Sequence, residues 1–280
     1  MSDLRPPADA APGPVPLVGL SASSVYPDPT AHCFEVAGRL GYDGVEVMVG
    51  IDAVSRDVDA LERLRDETGV AVLSIHAPTL LVTQGTWGDA WEKLRRSGEA
   101  AVRLGADVVV AHPPFRWQRA YAAGFVDGIR RLTEQTGVAF AVENMFPWRG
   151  PRNLAELRAY SPGWDPTPFG YDHLTLDLSH ASTSRLSSLE LVHAWGERLR
   201  HVHLTDGRGS LKDQHLFPGA GDQEVGPVLQ ELARRGYAGH VVLEVNTRGR
   251  HHEERDYALG TTLAYTRRFL APAVAAPRAR

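Results

Sequence analysis

Residues 103–112, RLGADVVVAH, contain the joint from which the fold can be read. The preceding segment, DAWEKLRRSGEAAVRL (89–104), spaces its apolar residues for a helix lying on a core. Gly105 suits the left-handed conformation that ends such a helix. DVVVAH then reads as a short buried strand, and a histidine stands where it ends. The same joint recurs at Gly41 (RLGYDGVEV), Gly69 (ETGVAVL), Gly137 (QTGVAF) and Gly236 (RRGYAGHVV).

Outward from these joints, the strand candidates are VPLVGLSAS, GVEVMV, VAVLSIHA, DVVVAH, VAFAVEN, HLTLDLSH, LRHVHLTD and HVVLEVN, with amphipathic segments such as FVDGIRRLTEQT between them. Strict β-then-α alternation predicts an α/β protein, a parallel (β/α)8 TIM barrel. A doubly wound open sheet is the other arrangement with this alternation. It would ordinarily carry a Gly-rich phosphate loop after the first strand, and GLSASSVYPDP is not one.

The chain of 280 residues is 43% hydrophobic, enough for a substantial core. A formal charge of -4 supplies no global drive toward nucleic acid or membrane. No run approaches a membrane span and no signal peptide is visible, which leads to the expectation of a cytoplasmic protein. The single Cys33 excludes an intramolecular disulfide and Cys-rich zinc motifs. The Pro- and Ala-rich ends, 1–14 and 272–280, read as disordered tails around one metal-binding barrel over 15–271.

In a barrel of this kind the chemistry sits at the C-terminal ends of the strands. There the sequence places His76, His112, Glu143, Asp177 with His180, His203 and Glu244, and the loop after the seventh strand adds Asp213 and His215. A lone histidine at such a place is more often a hydrogen-bonded core residue. Six successive strand ends with metal-capable side chains are poorly explained that way, and buried carboxylates without cations are costly. Imidazole and carboxylate without thiolate suit Zn²⁺, Mn²⁺, Co²⁺ or Fe²⁺. His201, two residues before His203 and deeper in its strand, is assigned a structural role.

These residues, and above all the HLTD…DQHLFPGAG segment, resemble the xylose-isomerase-like TIM barrels, which group sugar and sugar-phosphate isomerases and epimerases with endonuclease IV-type apurinic (AP) endonucleases. The resemblance spans residues 16–271. In the epimerase branch it implies one divalent metal on Glu143, Asp177, His203 and Glu244, with Glu143 and Glu244 as the catalytic proton-transfer pair. In the endonuclease branch it implies three zincs: one on His76, His112 and Glu143, a second on Glu143, Asp177, His203 and Glu244, a third on His180, Asp213 and His215.

The loop after the second strand, GIDAVSRDVDA, carries three acids against one Arg, and no aromatic follows the third-strand histidine in HAPTLL. Both features disfavour a duplex-binding surface. The expectation is therefore a metal-dependent sugar or sugar-phosphate isomerase or epimerase acting through an enediolate, with one or two divalent ions (Zn²⁺ or Mn²⁺) and room for a third. The alternatives are an endonuclease IV-like zinc phosphodiesterase and a catalytically silent, metal-bound sugar-binding barrel. Arg116, Trp117 and Arg119 in HPPFRWQR, with Trp148 and Arg149 in NMFPWR, are expected either to bind the sugar and its phosphate or to pack over the rim.

Overall fold

A computed structural model describes residues 15–79, 83, 85–149 and 156–271; both expected tails lie outside the described residues. Eight parallel strands close into a barrel in sequence order: β1 (Leu17–Ser21), β2 (Gly44–Met48), β3 (Ala71–His76), β4 (Val108–Ala111), β5 (Ala139–Glu143), β6 (Leu174–Asp177), β7 (Leu199–Leu204) and β8 (His240–Leu243), which pairs back to β1. The helices are α1 (Thr30–Leu40), α2 (Val58–Thr68), α3 (Ala90–Leu104), α4 (Arg119–Ala123), α5 (Phe125–Thr136), α6 (Leu178–Ser184), α7 (Ser188–Trp195), α8 (Val225–Arg234) and α9 (His252–Leu270). The TIM barrel expected from the alternation is the fold observed. No helix among the described residues is long and apolar enough to cross a membrane.

The joints work as the spacing implies. The Asp89 side chain accepts the Glu92 N–H at the start of α3, and Gly105 ends that helix at φ +76°, where a side chain would be strained. Alternation along each strand then sorts side chains between two compartments. Val109, Ala111, Phe140 and Val142 join the large core beneath the helices, whereas Val108, Val110, Ala139 and Ala141 form a separate small cluster. Extending that second parity along β5 carries Glu143 to the inner face at the strand's end, and register pairs Asp177 on β6 with His203 on β7.

One element differs from expectation. HLTLDLSH was expected to run as a strand through His180, but β6 stops at Asp177 and α6 begins at once. The Asp177 carboxylate caps the new helix by accepting the His180 N–H at 2.7 Å. His180 therefore projects from a first helical turn rather than from a strand end.

The loop between β7 and α8 is built around Asp206, which is fully buried. Its carboxylate accepts the N–H groups of Gly207, Gly219, Gly221 and Gln223 at 2.8–3.1 Å. A Cβ on Gly221 would lie 2.0 Å from the Gly207 carbonyl oxygen, so the PGAG turn admits only glycine there. This loop delivers Asp213 and His215 to the barrel mouth.

Candidate metal centre

All nine side chains at the strand ends and in the seventh loop meet in one network. Glu143, 1% exposed, is its hub. Its Oε2 lies 2.8 Å from His112 Nε2 and 3.5 Å from His76 Nε2, while its Oε1 lies 3.1 Å from His203 Nδ1 and 3.3 Å from His180 Nδ1. The two carboxylate oxygens thus face two different groups of imidazoles, the disposition of a bridging ligand.

The second group centres on His203. Its Nδ1 lies 2.9 Å from Glu244 Oε2, 3.1 Å from Glu143 Oε1 and 3.7 Å from Asp177 Oδ2, so three carboxylates converge on one ring nitrogen. The third group is tied by Asp213, whose Oδ2 is 3.2 Å from His180 Nε2 and 2.6 Å from His215 Nε2. Ser179 holds this loop: its hydroxyl donates to Asp213 Oδ1 at 2.5 Å and accepts the His215 N–H at 3.1 Å. His215 adopts φ +45°, an uncommon backbone conformation for a non-glycine residue.

The donor set fits divalent cations. Ligand atoms of His76, His112 and Glu143, of Glu143, Asp177 and His203, and of Asp177, His180 and His215 each lie within 4.8 Å of one another. Asp177 Oδ2 is buried with no hydrogen-bond partner, and Glu143 Oε2 faces the imidazoles of His112 and His76, positions that suit ligand oxygens. The ring orientations agree. His76 Nδ1 is 3.2 Å from the Ala77 carbonyl and His180 Nδ1 is 2.8 Å from that of Asn144, so each ring donates to backbone through Nδ1 and turns its Nε2 toward the carboxylates.

The same crowding moves protons. Burial alone would raise the Glu143 carboxyl, but the imidazoles of His203 and His112 hold it well below the usual carboxylate range. Glu244 is likewise held down to about 2 against its burial, chiefly by His203. Burial pushes His203 down, and the charges of Glu46, Glu244 and Glu143 outweigh it and raise it well above an ordinary histidine. His215 is raised to about 10, burial opposing and Asp213 prevailing.

A cavity of about 640 Å³ opens beside the network, between the loops that follow β1, β2, β3, β7 and β8. Asp213, His215 and Glu244 form its inner wall; Ser23, Tyr26 and Arg248 are among its other lining residues. Ser23 Oγ donates to Glu244 Oε1 at 3.1 Å, so one oxygen of Glu244 is held at the cavity and the other faces His203. The acids of the second-strand loop are engaged within the protein: Asp52 accepts the N–H groups of Thr30 and Val54, Asp57 caps α2, and Asp59 pairs with Arg103. Asp28, also in the wall, is engaged by the Arg255 guanidinium.

The five residues expected to touch substrate sit across the mouth, and none lines this cavity. Trp117 stacks on Phe115 at a 4.6 Å ring separation, and Trp148 packs against both and Tyr160. Arg149 donates to the Thr183 carbonyl at 3.0 Å, the Arg116 backbone N–H donates to the Ala159 carbonyl at 2.8 Å, and Arg119 opens α4. Arg248 lies in the cavity wall, 4.5 Å over the Tyr26 ring.

Two residues escape a reading of strand ends. Ser23 belongs to a loop without a motif. Glu46 lies in the middle of β2, fully buried, with Oε2 2.8 Å from Ser74 Oγ and 3.0 Å from His201 Nε2 and with His203 Nε2 at 3.2 Å. The available signal was a lone acid inside GVEVM, an apolar strand where a carboxylate needs a partner.

A family model described as the xylose isomerase-like TIM barrel matches residues 34–268. An uncharacterized protein of Mycobacterium leprae is 45% identical over 276 residues, covering 92% of this chain and 99% of that one. Fructoselysine 3-epimerase of Escherichia coli is 23% identical over 248 residues, covering 78% and 86%. Among solved structures, an AP endonuclease of family 2 from Brucella melitensis superposes with a TM-score of 0.66 at 18% identity, covering 89% of this chain and 99% of that one, a likeness of fold.

Proposed function

Because the chain belongs to the xylose isomerase-like TIM barrel family, we propose that it is a metal-dependent sugar isomerase or epimerase whose shared site is Glu143, Asp177, His203 and Glu244. One observation carries this reading: three carboxylates surround a single nitrogen of His203, inside a barrel, beside a cavity of sugar size. The likeness to the E. coli fructoselysine 3-epimerase supports the same class.

A divalent cation held there would neutralise the carboxylates and stabilise the negative charge that builds on a carbonyl oxygen as the neighbouring C–H proton leaves. The chain's own residues supply the rest. Of the four shared-site residues, Glu244 lines the cavity, and its Oε1, steadied by the Ser23 hydroxyl, would take a proton from substrate carbon. Glu143 reaches the same nitrogen of His203 from β5 as the second member of the pair, and its enclosure among four imidazoles makes it a ligand first. The wall that includes Tyr26 and Arg248 receives the remainder of the sugar. Every carboxylate in that wall already has a partner within the protein, whereas Arg248 has no carboxylate partner among the described residues, so an anionic end such as a phosphate is the substrate feature it would bind.

The phosphodiesterase reading draws on the third group, His180, Asp213 and His215, which lies against the other two. Protein reconstituted with Zn²⁺ or Mn²⁺ and assayed on ketoses, ketose phosphates and abasic duplex DNA separates the readings. Stereochemical inversion or aldose–ketose conversion is expected. Abasic-site cleavage that vanishes in His180→Ala, with three zincs per chain, would reverse the assignment.

A further inference from the structure

Glu46 is buried inside the barrel on the opposite side of the His203 ring from the three converging carboxylates. His203 turns Nδ1 to Glu143, Asp177 and Glu244 and Nε2 to Glu46 at 3.2 Å. We propose that Glu46 is a positioning residue of the metal centre: its carboxylate accepts the Nε2–H of His203, which fixes the tautomer and ring angle that present the Nδ1 lone pair to the cation. The proposal rests on the metal reading above.

A buried carboxylate is costly unless its oxygens are well supplied with donors. Glu46 has three donors from two strands, converging on Oε2: the Ser74 hydroxyl on β3 and the Nε2–H groups of His201 and His203 on β7, with His203 Nε2 also 3.2 Å from Oε1. His201 thereby acts through Glu46, from one strand pair deeper in the barrel, and its own Nδ1 is buried without a partner, as expected of a neutral ring donating through Nε2. The contrast with the other imidazoles is informative. His76, His180 and His215 each place Nδ1 against a backbone carbonyl, of Ala77, Asn144 and Glu244 respectively, and turn Nε2 toward the carboxylates of Glu143 or Asp213. His203 is reversed, offering Nδ1 and being held at Nε2 by a carboxylate. A carboxylate behind a ligating imidazole orients it and raises its donor strength, and loss of such a partner typically costs 10–100-fold in metal affinity.

Glu46→Gln is the incisive variant. A neutral amide lacks the charge on which the Ser74, His201 and His203 donors converge, and an amide NH₂ turned toward His203 would move the ring proton to Nδ1, where the ligand lone pair is needed. Zn²⁺ affinity is measured by competition with a chromogenic chelator, and ring ¹⁵N shifts of His203 are recorded in the Zn²⁺-loaded wild-type protein. The expected results are a wild-type His203 ligating through Nδ1 with a proton on Nε2, and affinity about 10–100-fold weaker in Glu46→Gln. Undiminished affinity in a folded Glu46→Gln, or a wild-type His203 ligating through Nε2, overturns the proposal; the second result needs no variant to fold. If the wild-type protein takes up no divalent metal, the metal reading itself fails, and the positioning role falls with it for that separately visible reason.

Discussion

His203 Nδ1 and Glu244 Oε2 lie 2.9 Å apart on neighbouring strands, and Glu143 reaches the same nitrogen from β5. Proximity of this kind between buried carboxylates is stable only with positive charge among them, supplied by a cation or by protons on the imidazoles. The behaviour of the protein with and without metal follows from that alternative.

Asp177 contributes an oxygen to the shared group and caps α6. Asp177→Asn keeps a capping oxygen but removes the charge. Tight binding of one ion per chain should be lost by elemental analysis after dialysis, while the melting temperature of the metal-free protein changes little. Full retained stoichiometry would remove Asp177 from the ligand set.

Glu244→Gln should reduce turnover by about 10²–10⁴-fold, the usual weight of a positioned acid–base group. Exchange of the substrate C–H proton with deuterated solvent, followed by NMR, should fall in parallel. Ser23→Ala, which releases Glu244 Oε1 without touching the ligand side, should produce a smaller loss with metal content unchanged. Exchange that survives in Glu244→Gln would assign the proton transfer to another group.

Arg248→Ala should raise KM for a ketose phosphate by about tenfold, corresponding to one charge-assisted contact of ~1.4 kcal/mol, and leave KM for the unphosphorylated sugar unchanged. Equal effects on both substrates would show that Arg248 shapes the wall with Tyr26 rather than reading charge.

The metal-free protein should have a stability maximum in mildly acid solution. The His215 pKa is raised to about 10, so its contribution is fully present below the unfolded value near 6.5 and is lost as pH rises through 10. Glu244 is lowered to about 2, so its contribution is present above the unfolded value near 4.3 and is lost as pH falls through 2. Metal binding requires neutral imidazoles and so gains with rising pH. Thermal melts of chelator-treated and Zn²⁺-loaded protein from pH 4 to 9 should diverge toward the alkaline end. Parallel curves would deny the linkage.

Gly221→Ala places a Cβ against the Gly207 carbonyl and the Asp206 carboxylate. The expected loss is about 1–3 kcal/mol, the usual penalty for overpacking, with weakened binding at the His180, Asp213 and His215 group and the His76, His112 and Glu143 group spared. Chemical denaturation and metal titration together test this.

The amino-acid sequence alone carried the barrel and the positions of its ligand-capable residues, because both are local matters. A glycine such as Gly105 ends a helix through its own φ, a short apolar run makes a strand, and a barrel strand delivers its last inward residue to the mouth. Tertiary structure decided which atoms meet. Asp177 both ends β6 and starts α6, a choice made by one side-chain hydrogen bond rather than by alternation. The aromatic residues of HPPFRWQR and NMFPWR found one another at the rim, while the cavity formed on the far side beside Tyr26 and Arg248. Glu46 meets His201 and His203 from more than 150 residues away, across a barrel interior. The contact of His203 Nε2 with Glu46 joins β7 to β2, strands that are not neighbours in the sheet, and no periodicity along a single strand encodes that distance.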